Sequence, residues 1–111
     1  MQLPNKTKAY IPPNKLTGYL LSETHAVGKA KAKFFRSLGF DESTVGRLEQ
    51  ELLAVAHTEQ VENVIASSHG TKYIIDGSLK TPQGVVVRVR TVWISEAEQE
   101  SPRFVTAYPI E

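Results

Sequence analysis

Val61-Glu62-Asn63-Val64-Ile65-Ala66-Ser67-Ser68-His69-Gly70-Thr71-Lys72-Tyr73-Ile74-Ile75-Asp76-Gly77-Ser78-Leu79 is where the chain changes character. Upstream, apolar residues recur every three or four positions, whereas from Val61 on β-branched and aromatic residues come in runs broken by turn residues. The quoted stretch reads as a strand over 61–67, a turn at Ser68-His69-Gly70 and a strand over 71–79. Thr81-Pro82-Gln83-Gly84 turns into a third strand over 85–95, and a polar loop over 96–102 leads to a fourth over 103–110. Connections this short join antiparallel neighbours, because a parallel crossover needs about a dozen residues or more.

Working back toward the N-terminus, three helices are expected. Pro12-Pro13 opens a short one over 14–21, with Leu16, Tyr19 and Leu20 at helical spacing. After a break at Ser22-Glu23-Thr24-His25, a second runs over about 27–38 and stops at Gly39, the usual residue for a left-handed cap. Thr44 or Ser43 caps a third, in which Val45, Leu48, Leu52, Val55 and Ala56 form an apolar stripe, with Glu49, Glu51 and Glu59 outside. Helices first and a meander second predict an α+β domain, about three helices packed on one face of a four-stranded antiparallel sheet. At 111 residues the chain fits a single domain, 1–111, without repeat, low-complexity segment or linker.

Composition narrows the chemistry. With 41% hydrophobic and 23% charged residues the chain resembles ordinary globular domains, and its apolar runs are far shorter than the ~20 residues of a membrane span. The first residues carry charge without an apolar block behind them, so no secretory signal is expected and the cytoplasm is the default location. No cysteine means no disulfide, thiolate metal site or thiol nucleophile. The three histidines match no metal spacing, so neither metal nor cofactor is expected. GxGxxG, Walker-type and GxSxG motifs are also missing, which argues against familiar kinases, NAD enzymes and esterases.

The net charge of +1 conceals an asymmetry. Residues 1–40 carry Lys6, Lys8, Lys15, Lys29, Lys31, Lys33 and Arg36 against Glu23 alone, a net +6. Residues 41–70 carry Arg47 against Asp41, Glu42, Glu49, Glu51, Glu59 and Glu62, a net −5, and the remainder is balanced. A basic block of this kind either attracts phosphates or acidic proteins, or forms a solvated face beside a compensating acidic helix.

Lys31 breaks the helical pattern. Turning 100° per residue puts Val27, Ala30, Phe34 and Leu38 on one face of the second helix with Phe35 at its margin, and places Lys31 between Leu38 and Phe35. A lysine there either snorkels past the apolar edge or points into a polar site. His25, Gly28 and Lys31, three apart across the loop-to-helix junction, suit an anion such as phosphate, although His25 is equally readable as an exposed loop residue. His57 at a helix end and His69 in a turn are explained structurally.

On the third strand Val85, Val87, Val89, Thr91 and Trp93 alternate toward the core, and Val86, Arg88, Arg90, Val92 and Ile94 toward the other face. The two arginines either grip a phosphate or carboxylate ligand or pair with a strand neighbour such as Asp76. Thr106 and Tyr108, pointing one way on the last strand, either orient a ligand's phosphate or hydroxyls or are simply favoured strand residues.

The stretch Leu20-Leu21-Ser22-Glu23-Thr24-His25-Ala26-Val27-Gly28-Lys29-Ala30-Lys31-Ala32-Lys33-Phe34-Phe35-Arg36-Ser37-Leu38-Gly39-Phe40 resembles a motif of a small bacterial domain family of unknown function. The resemblance continues through Gly70-Thr71-Lys72-Tyr73, Asp76-Gly77, Val92-Trp93 and Val105-Thr106-Ala107-Tyr108-Pro109. More distantly, it is similar to the metal-independent RNase fold of barnase, EndoU, colicin and RelE-like toxins. The resemblance implies His25 as general base or acid, Lys31 as oxyanion stabiliser, Arg90 as phosphate clamp, Thr106 and Tyr108 as orienting groups, and Gly28, Lys29 and Arg88 as phosphate-binding positions. It implies an RNA substrate and, as for toxin–antitoxin pairs, a small acidic antitoxin-like partner. A second catalytic histidine, as in EndoU, is missing. The alternative is a non-catalytic module that binds protein or RNA through the same basic surface.

Overall fold

The structure is a computed structural model that describes residues 1–25 and 29–110. Among the described residues a 3-10 turn at Lys6–Lys8 and three longer helical segments precede four strands that form one antiparallel sheet in the order β1-β2-β3-β4, the α+β arrangement expected. The strands are β1 (Val61–Ser67), β2 (Gly70–Lys80), β3 (Val86–Ser95) and β4 (Arg103–Pro109). Helix α1 (Pro13–Lys15) widens into π-helical turns over Leu16–Leu20, and α2 (Lys29–Ser37) and α3 (Val45–Thr58) follow.

Period-two alternation sorts each strand between core and open face. Ile75, Leu79, Val89, Trp93, Phe104 and Ala107 are buried in one cluster with Leu48, Leu52, Val55 and Ala56 of α3, Phe35 of α2, and Leu16, Leu20 and Leu21. Each large side chain so buried contributes about 1.5–3 kcal/mol. The Trp93 indole N–H donates to Thr91 Oγ1 (2.8 Å), and that hydroxyl donates to the Ile75 carbonyl (2.7 Å), so these two buried polar side chains are satisfied. Gly77 lets α3 approach β2, since a Cβ there would meet a Val55 methyl at 2.7 Å. Gly39 has φ 96°, and its N–H reaches the Arg36 carbonyl while that of Phe40 reaches the Phe35 carbonyl, the left-handed cap anticipated.

Register sets the open face. Asp76 pairs with Arg90, and Arg90 with Tyr108. The β3–β4 register slips between Val92 and Trp93: Val92 faces Thr106 and Trp93 faces Phe104, which leaves Val105 unopposed as a bulge. Thr106 and Tyr108 therefore share the face of Val92 and Arg90.

Three local expectations are corrected. The buried line of α2 is Ala32 and Phe35, with Lys31, Phe34 and Leu38 half-buried and Ala30 exposed, so Phe35 is a centre rather than a margin; Val27 lies outside the described residues. Aromatic packing rotates the helix this way: the Phe35 ring meets Phe34 at 5.0 Å and Phe40 at 6.4 Å. Val85 is 51% exposed because it closes a loop with Thr81 instead of entering β3. Thr44 stands at the α3 start without capping it by its side chain; its hydroxyl instead accepts the Asp41 N–H and donates to the Gly39 carbonyl, tying the preceding loop.

Candidate functional site

The π-helical widening of α1 follows from what the core demands. Leu21 N–H bonds the Leu16 carbonyl five residues back (2.9 Å), so Leu16, Leu20 and Leu21 all reach the core and Tyr19 is left half-buried at the rim. From there its phenol oxygen meets Thr106 Oγ1 across the sheet edge at 3.0 Å.

Three more groups gather on this ring. His25 meets it edge-on with ring centroids 5.1 Å apart. The Lys15 and Lys31 ammoniums lie 4.9 and 5.6 Å from its centroid, within cation–π range. Neither lysine has a carboxylate partner among the described residues. Burial pushes the Tyr19 phenol pKa up, but the Thr106 hydrogen bond, the polar contact and charge of Lys31 and the charge of Lys15 outweigh it, leaving it below the ordinary value. Asn14, Lys15, Gly18, Tyr19, His25, Val105 and Thr106 line the resulting cleft of about 490 Å³.

The loop carrying His25 is held from both sides. Ser22 Oγ accepts the backbone N–H of His25 (3.2 Å), and the His25 carbonyl accepts the Lys29 N–H (3.0 Å) as α2 begins. Arg36 donates to the Leu21 carbonyl (2.9 Å) and forks onto Glu42, with Glu23 at 3.1 Å, clamping the α1–α2 connection onto the loop after α2. Gly28, expected as a phosphate position, lies outside the described residues.

The groups predicted from sequence are thus distributed over two neighbouring places. His25 and Thr106 border the cleft with Lys31 on the Tyr19 ring, whereas Tyr108 stands two residues along β4 on the open face, opposite Arg90. Arg90 is gripped at both ends by Asp76, Nε to Oδ1 at 2.7 Å and Nη2 to Oδ2 at 2.9 Å, with the Asp76 side chain only 10% exposed. That contact raises the guanidinium pKa further, and Arg90 in turn holds the Asp76 carboxyl below the usual range against the opposing effect of burial. Arg88 is exposed and donates to Ser78 Oγ at 3.2 Å. Lys29 is exposed and borders, with Lys33, Arg36, Ser37, Ala30 and Glu23, a shallow hollow of about 560 Å³ on the outside of α2. His57 leaves a buried Nε2 without a hydrogen-bond partner among the described residues, and His69 sits exposed in its hairpin turn.

Sequence reasoning missed Tyr19 and Lys15 as site residues. Their four-residue spacing was the available signal, since it places an ammonium beside a phenol on one helix face. Among the described residues no group of three or more His, Cys, Asp or Glu side chains is placed to hold a metal, and no helix is long and apolar enough to cross a membrane.

Comparison with known proteins bears on fold and family. A chain of a contact-dependent growth inhibition toxin–immunity protein complex from Klebsiella pneumoniae 342 superposes with a TM-score of 0.74 over 98% of this chain and 99% of its own, at 14% identity. At that identity the likeness is one of fold. No curated protein matches the sequence. The family model described as Domain of unknown function (DUF6883) matches residues 2–111, and the chain belongs to that family.

Proposed function

We propose that the domain is a toxin of the metal-independent endoribonuclease type, similar in fold to barnase, EndoU, colicin and RelE-like toxins. The observation that carries this reading is the gathering of His25, Lys31 and Thr106 around one ring beside a cleft of about 490 Å³. The likeness in fold to a chain of a toxin–immunity complex supports the toxin part.

RNA carries its own nucleophile, so a protein that cleaves it has only to move protons and neutralise charge. In this reading His25 takes the proton of the 2′-hydroxyl. Lys31 faces the charge that develops on the non-bridging phosphate oxygens, and Thr106 positions the phosphate by hydrogen bond. Arg90, fixed in orientation by Asp76, and Tyr108 beside it receive the adjoining part of the strand, with Arg88 and Lys29 contributing charge on either side. Lys29 and Lys33 face outward from α2, where they suit a small acidic immunity-type partner.

The test is incubation of purified protein with total RNA, with and without a chelator. Cleavage that survives chelation and is lost in His25→Ala is expected. Intact RNA at high protein concentration, or activity that chelation abolishes, would sink the reading and leave a binding module. In that case His25→Ala would leave RNA or partner binding intact, while Lys29→Glu with Lys33→Glu would weaken it.

A further inference from the structure

Metal-free cleavage of a phosphodiester needs two proton transfers, one from the 2′-hydroxyl and one to the departing 5′ oxygen. His25 provides for the first. Neither His57 nor His69 borders the cleft, and among the described residues no carboxylate lines it. What does border it is Tyr19, its ring 5.1 Å from that of His25.

We propose that Tyr19 is the general acid of this cleft, giving its phenolic proton to the 5′ oxygen as that oxygen leaves. The assignment rests on the ribonuclease reading above. The 2′ oxygen forms its bond to phosphorus as its proton passes to His25, the bond from phosphorus to the 5′ oxygen breaks, and the phenol proton completes the new 5′-hydroxyl. The products are a 2′,3′-cyclic phosphate and a 5′-hydroxyl end. A proton returning from imidazolium to phenolate through solvent restores the starting state, so no oxidant, metal or co-reactant enters.

The surroundings suit a group that must be a phenol before the step and a phenolate after it. Thr106 Oγ1, 3.0 Å away, can turn its one hydrogen from the phosphate to the phenolate oxygen once the phenol proton has gone. Two ammoniums, Lys15 at 4.9 Å and Lys31 at 5.6 Å from the ring, stabilise the negative charge, and they are the same influences that lower the phenol's pKa. A tyrosine serving only to tie α1 to the sheet edge needs no more than the Thr106 bond; the two lysines at its ring add cation–π attraction and in addition favour the phenolate. Lys31 is less suited to be the acid, since giving up its proton would remove the charge that faces the phosphate.

The experiment separates leaving groups. An RNA oligonucleotide expels an alkoxide that must be protonated, whereas uridine 3′-(4-nitrophenyl phosphate) expels a nitrophenolate that leaves without help. Tyr19→Phe is expected to lower kcat on the oligonucleotide by about 10²- to 10³-fold with KM within a few-fold, yet to stay within about five-fold of wild type on the nitrophenyl ester. His25→Ala is slow on both. The alkaline limb of the wild-type profile, expected below the ordinary phenol pKa of about 10, disappears in Tyr19→Phe. Should Tyr19→Phe unfold, 3-fluorotyrosine at position 19 preserves the packing and moves that limb toward acid. Equal loss on both substrates, a Tyr19→Phe variant as fast as wild type, or a limb that does not move would overturn the assignment alone. Wild-type protein inactive on both substrates would overturn the ribonuclease reading, and this assignment with it.

Discussion

The cleft around Tyr19 and the open sheet face around Arg90 lie two residues apart along β4, yet they treat positive charge in opposite ways. At Arg90 a largely buried carboxylate answers the guanidinium with two hydrogen bonds. At Tyr19 two ammoniums are drawn in against an aromatic ring and a hydroxyl, with no carboxylate among the described residues to meet either one. A cation already matched by the protein chiefly holds strands together and offers a ligand only its remaining donors, while a cation left on an aromatic face keeps most of its charge for a ligand. The largest effect on activity is therefore expected around the Tyr19 ring. Lys31→Met should slow RNA cleavage by about 10²- to 10³-fold, the scale for removing one preorganised stabilising group, and should shift thermal stability by less than about 1 kcal/mol. Cleavage within about three-fold of wild type would mean that the Lys31 charge is structural after all.

The opposite outcome is expected on the sheet. Asp76→Ala removes the partner of a paired arginine and should lower unfolding free energy by about 1–3 kcal/mol in denaturant titration. The pair also makes stability depend on pH. Arg90 depresses the folded-state carboxyl pKa of Asp76, so the folded protein binds that proton less readily than the unfolded chain does. The stabilisation is fully present above the unfolded aspartate value of about 3.9 and is lost as pH falls through the lowered folded value. Wild-type protein should lose stability across that acid window, and Asp76→Ala should lose much less. Parallel acid profiles for the two proteins would show that the pair adds nothing to the fold.

How much of this was legible in the sequence follows from where each piece of information resides. The strands and Gly39 were readable because alternation and turn residues are local: β1 has the bounds expected, and the other three shift by at most one residue at either end. Lys31 among apolar residues was also legible as an anomaly. Tyr19 was not, since Leu16, Tyr19 and Leu20 read alike at helical spacing and only the need to seat Leu21 in the core widens the turn and sends the tyrosine to the rim. The Asp76–Arg90 match depends on register, which the sequence suggested only as one of two options. The face presented by α2 was misjudged because the choice between Phe34 and Phe35 is made by Phe40, beyond the helix end.

Arg88 sharpens the comparison at its weakest point, for it lies on the same sheet face as Arg90 but, like the two lysines at the Tyr19 ring, has no carboxylate hydrogen-bonded to it among the described residues, where its side chain donates to the Ser78 hydroxyl. By the logic of the two sites it belongs with the available cations, and exposure makes its contribution long-range and screened. Arg88→Gln should therefore leave stability within about 0.5 kcal/mol of wild type. Its effect should appear in binding of a non-cleavable RNA, weakened a few-fold at low salt, with the slope of log K against log salt smaller by about one phosphate contact, roughly 0.7 for a single strand. A changed slope would extend the path of the strand from the cleft across Tyr108 onto the sheet. An unchanged slope would confine the substrate to the edge where β4 meets α1, and would assign both arginines to the architecture of the sheet.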